Sequence, residues 1–221
     1  MHIVNSAPFL RRNTGRLNSW LPVSGISLNH PKYISRFVIG TFLSILCGLQ
    51  VHAVTKTSAG SGNWTSASNW SPSGEPAAGD VVIISSGHTI AINTNTNNVA
   101  SITINGTLTI GNSNTDRTVT VSGNVTINAG GVFNTTGNGG NSLLIGGNLS
   151  NSGTFDMNIG SADAQVTFNG SANQSISGAG STTDFSTLIV NNSGAAGNNI
   201  VEVLSSSFTA SSGFLTLTKG I

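Results

Sequence analysis

Ile102-Thr103-Ile104-Asn105-Gly106-Thr107-Leu108-Thr109-Ile110 is the stretch that decides the fold. Large aliphatic side chains fall on alternate positions, the period of a strand with one buried face. Asn-Gly breaks the alternation at a point where the chain can take positive φ and turn. A second alternating strand then begins at once. Two short strands joined by so tight a corner cannot bury their apolar faces alone.

The same order recurs downstream. Val119-Thr120-Val121 leads to Ser122-Gly123, Leu143-Leu144-Ile145 to Gly146-Gly147, and Val166-Thr167-Phe168 to Asn169-Gly170. Leu188-Ile189-Val190 then meets Asn191-Asn192. From Gly106 the second turn residues step by 17, 24, 23 and 22 residues. Second short strands follow at 107–110, 124–127 and 148–150, and Gly-rich corners at 128–131 and 137–140 complete the circuit. Stacking each circuit on the next would bury a continuous core. The expected fold is therefore all-β, a right-handed parallel β-helix with an N-terminal cap. An antiparallel β-sandwich is the runner-up, since it too has short strands with frequent turns. About six coils at ~4.8 Å each would make a rod some 30 Å long. Asn-rich corners are expected to stack as ladders between coils.

Composition agrees with an ordered, uncharged surface. Only 7% of the 221 residues are charged and 37% are hydrophobic, whereas disorder pairs low hydrophobicity with high net charge. Five of the eight cations (Arg11, Arg12, Arg16, Lys32, Arg36) precede residue 54, and all seven carboxylates follow it. From Val54 onward three cations face seven carboxylates, a net of −4. Nucleic acid is excluded as a partner, because phosphate binding needs clustered Lys and Arg.

Residues 1–35 contain Pro8, Pro22 and Pro31 and no sustained apolar period, and read as an unstructured extension or an over-extended start. Arg36, the 13-residue apolar run 37–49 and Val51-His52-Ala53 have the form of a secretory signal peptide over 36–53. Cleavage after Ala53 is expected, with an uncleaved anchor as the alternative. A full membrane span needs roughly 20 apolar residues, so no integral span is expected after cleavage. Ser44-Ile45-Leu46 before Cys47 does not fit a lipobox. The mature part has no cysteine, and its stability must come from backbone ladders and stacked side chains.

The segment 54–98 is expected to be the cap and first coil, and 99–221 the β-helix repeats. The chain stops in mid-strand over 214–221, and truncation is expected. Trp64 and Trp70 are the only tryptophans of the mature region. They suit plugging an unpaired first coil; stacking on sugar rings is the competing reading. The run Asn63-Trp64, Asn69-Trp70, Pro76-Ala77-Ala78-Gly79-Asp80, Val81–Ile84, Gly87-His88-Thr89-Ile90 and then residues 102–110 resembles the eight-glycine domain of extracellular β-solenoid proteins. It is similar to the opening of large secreted adhesin-like β-helix proteins of Gram-negative bacteria. The resemblance covers motif detail over 62–135 and repeat style over 136–221. It implies a noncatalytic secreted or cell-surface module.

No catalytic constellation is expected. His88 sits in a Gly-His-Thr turn without an identifiable nucleophile and orienting carboxylate. The nearest carboxylates in sequence, Asp156 and Asp163, and the pair Asp116-Arg117 read as solvated loop residues. A carbohydrate-active β-helix lyase or hydrolase whose site lies beyond residue 221 is the alternative. Gly137-Asn138-Gly139-Gly140-Asn141 lacks the aspartates of a calcium repeat, and one mature histidine without cysteine cannot form a conventional zinc site. No cofactor or metal is expected. The sequons at Asn63, Asn69, Asn105 and Asn124 follow from composition. Thr103, Thr109, Thr120 and Thr126 are too irregular for an ice-binding row. Extracellular glycans or cell surfaces are the expected partners, through weak multivalent contact.

Overall fold

The computed structural model describes residues 52–137, 140–210 and 214–219. The extension at 1–35, nearly all of the signal segment 36–53 with Cys47, and Asn138-Gly139 lie outside the described residues.

The described part is a parallel β-solenoid of seven turns. The first coil holds β1 (Thr55–Ser58), β2 (Gly62–Asn63), a single 3-10 turn at Ala67–Asn69 and β3 (Trp70–Ser71). The second holds β4 (Val81–Ile84) and β5 (Thr89–Ile92), with Val99 bridging to the next coil in place of a third strand. The third is β6 (Ser101–Ile104), β7 (Thr107–Ile110) and β8 (Thr118–Val121). The fourth is β9 (Val125–Ile127), β10 (Val132–Thr135) and β11 (Asn141–Ile145). The fifth is β12 (Leu149–Asn151), β13 (Thr154–Asp156), the short β14 (Asn158–Ile159) and β15 (Ala162–Phe168). The sixth is β16 (Gln174–Ser177), β17 (Thr182–Phe185) and β18 (Thr187–Asn191), and the seventh β19 (Val201–Val203), β20 (Phe208–Ala210) and β21 (Leu215–Lys219).

Like strands stack on like strands, giving three sheets along one axis. The first face runs β1-β4-β6-β9-β12-β16-β19, the second β2-β5-β7-β10-β13-β17-β20, and the third β8-β11-β15-β18-β21. Every coil-to-coil pairing is parallel; only β3 on β1 and β14 on β15 are antiparallel. That pattern rules out the sandwich.

Register places the apolar side chains in columns. On the first face Val82, Ile102, Val125, Leu149 and Ile176 stand directly over one another, all 0% exposed. On the third, Val121, Ile145 and Phe168 do the same. Inside the second face the rings of Phe133, Phe155, Phe185 and Phe208 follow at centroid spacings of 5.9, 5.1 and 5.2 Å. Each such side chain contributes about 1.5–3 kcal/mol on burial. A coil of 20–27 residues contains several of them, and the core runs unbroken from one coil to the next.

Register also explains the odd first step of the repeat. Residues 102–104 lie on the first face, whereas 119–121, 143–145, 166–168 and 188–190 all lie on the third. The third-face counterpart before Val121 is Val99. The count of seven coils exceeds the expected six because β1 and β4 each open a coil of their own.

Candidate functional site

The N-terminal end is closed by side chains that alternation alone would misplace. In β1 it is Lys56 and Ser58 that point inward, beneath Val82 and the rest of the first apolar layer. Lys56 is buried, and its Nζ donates to the carbonyls of Pro72 and Ser73 at 3.0 and 3.1 Å. β3 folds back antiparallel and covers the free edge of β1, with Ser58 opposite Trp70. Trp64 and Trp70 pack edge to face at 5.0 Å, and Trp70 Nε1 donates to the Trp64 carbonyl at 2.7 Å. Trp64 Nε1 is buried without a partner among the described residues. Burying ~200 Å² of indole is worth about 5 kcal/mol, which outweighs the roughly 1–3 kcal/mol cost of one lone N–H. The rings are 0% and 2% exposed, so neither offers a face to a sugar. Of the two readings of Trp64 and Trp70, the buried rings fit the plug: closing the solenoid end consumes both.

His88 has a partner that the sequence did not announce. The corner after β4 brings His88 Nδ1 within 2.9 Å of Ser58 Oγ and 3.0 Å of the Ser58 carbonyl. Ser58 Oγ also accepts from the Ser85 amide at 2.8 Å, and Ser85 Oγ donates to the Ser58 carbonyl. Ser58 is buried and fully engaged in tying the first coil to the second. Asp80 serves the same end: its carboxylate accepts from the Val54 and Ala77 amides, both at 2.8 Å.

The carboxylates lie apart from one another except at one place. Asp156 and Asp184 are register partners on the outside of the second face. Asp163 lies opposite Asn158 in the antiparallel pair β14–β15. Asn158 bridges the group, its amide donating to Asp156 Oδ1 at 3.1 Å and its Nδ2 to Asp184 Oδ2 at 3.4 Å. A glycosidase needs carboxylates facing across a cleft; Asp156 and Asp184 stand side by side on one sheet. Asp116 lies against Gly140, where a Cβ would collide with its carboxylate.

Asparagine does two jobs. Outside, one rung stacks amide on amide, Asn128 Nδ2 donating to Asn105 Oδ1 at 2.7 Å. Elsewhere the side chain accepts from backbone of the next coil: Asn124 from Asn148 N, Asn148 from Ser175 N, Asn173 from Ile200 N. Inside, Asn141, Asn151, Gln174 and Asn192 are buried at strand ends and satisfy the corners' peptide groups. Asn151 Nδ2 donates to the Thr182 carbonyl and Thr183 Oγ1 while its Oδ1 accepts from Gly153 N. The four threonines of the candidate row scatter over three faces: Thr103 and Thr126 are neighbours on the first, Thr109 is on the second and Thr120 on the third.

Two open clefts of about 330 Å³ each lie at the corners. One, between second and third faces, is lined by Asp163, Gln165, Ser142 and Thr187. The other follows the corner between third and first faces, from Asn98 in the second coil to Ser193 in the sixth. There Gly146 stands between Ser122 and Asn169 in successive coils. Gly146 cannot be otherwise, because a Cβ would run into the Ser122 carbonyl of the coil before. No charged side chain lines this second cleft.

Fold and surface together define a capped parallel β-solenoid with a sparsely charged exterior rich in hydroxyls and amides. Residues 55–213 match the family described as domain of unknown function DUF8693, and the chain belongs to that family. No curated protein and no solved structure matches the chain.

Proposed function

We propose that this chain is a noncatalytic structural module, secreted or displayed at the outer cell surface, that acts as a stalk and adhesin-like contact surface for extracellular glycans or neighbouring cells. One observation carries the reading. Register through the third to sixth coils lines the outside of the first face with columns of small neutral polar groups, Ser101-Asn124-Asn148-Ser175 beside Thr103-Thr126-Ser150-Ser177. Repetition of modest contacts on a stiff scaffold gives avidity that no single site has. The resemblance of residues 62–135 to eight-glycine and adhesin-like β-solenoid openings supports the same reading, as does the leader-like segment 36–53.

Glycan-array and cell-binding assays of the purified chain are the test, with binding expected to at least one glycan class. No binding in either assay would leave the spacer role alone. Export is checked separately, by N-terminal sequencing of the protein recovered outside the cell. The expected first residue is Val54; an intact N-terminus on an intracellular protein would refute export.

A further inference from the structure

The cleft between third and first faces runs along a corner of the solenoid. It is long and narrow because it follows a corner shared by five successive coils, second to sixth. Four steps at the ~4.8 Å strand spacing give it a length of about 19 Å. Its floor is fixed: Gly146 sits hard against Ser122 and Gly170 against Gly146, contacts that no side chain could share. Its hydroxyls are fixed as well. Ser122 Oγ donates to the Val99 carbonyl at 3.1 Å and Ser193 Oγ to the Gly170 carbonyl at 3.2 Å, so each turns a lone pair outward. The exposed side chains of Asn98, Asn169 and Ser171 make no hydrogen bond to the described protein, and their donors and acceptors are open to a ligand.

We propose that this trough binds a neutral, extended polysaccharide lying parallel to the solenoid axis, an inference that rests on the glycan-contact reading above. The pattern of fixed acceptors with free amides and hydroxyls suits a polymer whose every unit carries hydroxyls that both donate and accept. The rung spacing is close to the length of one pyranose in an extended chain, so successive coils meet successive sugars. Acidic polysaccharides are disfavoured, because the trough supplies no cation to offset carboxylate or sulfate desolvation. With no aromatic platform in the trough, a single sugar binds weakly and affinity grows with chain length.

The test is affinity electrophoresis of the full chain through gels holding laminarin, hydroxyethylcellulose, galactomannan or, as the acidic probe, alginate. The wild type is expected to be retarded by at least one neutral polymer and not by alginate. The double variant N169A/S171A changes two exposed side chains outside the core and is expected to lose affinity about tenfold, with an unchanged thermal midpoint. A second variant, Gln165→Ala, alters the other cleft and is expected to bind like wild type. Retention undiminished in N169A/S171A overturns the trough as the site while the glycan reading stands. Preferential retention by alginate overturns the neutral class. No retention by any polymer, together with a blank glycan array, overturns both.

Discussion

At the residue scale, the positions that matter most are those where two coils come nearest. At the corner between first and second faces, Gly106, Gly131 and Gly153 stack so closely that a Cβ on each would enter a carbonyl of the coil before. Backbone hydrogen bonds hold the same corner, Val132 N to Gly106 O at 2.8 Å and Thr154 N to Gly131 O at 2.9 Å. Gly153→Ala must push backbone apart rather than move a side chain, and should cost about 2 kcal/mol or more. The measurement is a denaturant midpoint against Gly130→Ala, a control with open space around it but positive φ. Asn151→Ala should cost a similar ~1–3 kcal/mol, because Gly153 N and the Thr182 carbonyl lose their buried partner. Wild-type stability in that variant would mean that water replaces the amide. Neither role was legible in the sequence. Asn151 and Asn124 look alike there, yet one is sealed in a corner and the other faces solvent.

At the element scale, the in–out alternation of Ile102/Ile104 and Leu108/Ile110 was readable, and those side chains are all buried. Which face a strand belongs to was not. Short alternating strands on all three faces carry the same pattern, and only pairing across some 20–27 residues tells them apart. β1 shows the limit most clearly. Its inward positions are Lys56 and Ser58, because the end of a solenoid has to meet water and the turn carbonyls of Pro72 and Ser73. The cap's tryptophans were legible as a plug from their placement alone; the trough was not, since Ser122, Gly146 and Asn169 line up only once three coils are aligned. Trp70→Ala should destabilise the protein by about 3–5 kcal/mol. It should also uncover the β1 edge, raising thioflavin-type aggregation relative to wild type. Phe155→Ala, which breaks the ring column between Phe133 and Phe185, should cost about as much without affecting aggregation of the folded state.

At the scale of the whole molecule, the two ends differ in kind. The first coil is sealed, while the inward columns of the seventh stand open. Val203, Leu215 and Leu217 are 46%, 48% and 56% exposed, where the residues beneath them are buried.

The corners differ as much as the ends. Between first and second faces the connection is always two to four residues, whereas after the second face it runs from one to seven and after the third from one to nine. The corner between first and second faces is thus the one kept short in every coil, while the other two vary in length, although Gly123, Gly146 and Gly170 still seat coil on coil after the third face. A foreign peptide spliced between Asn114 and Thr115, in the exposed seven-residue connection after the second face, would ride outward on the third coil. The same peptide between Asn105 and Gly106 would pry the stack open. Evolution of such a rod can accordingly decorate two of its seams wherever no glycine seats one coil on the next, and must leave the remaining one bare.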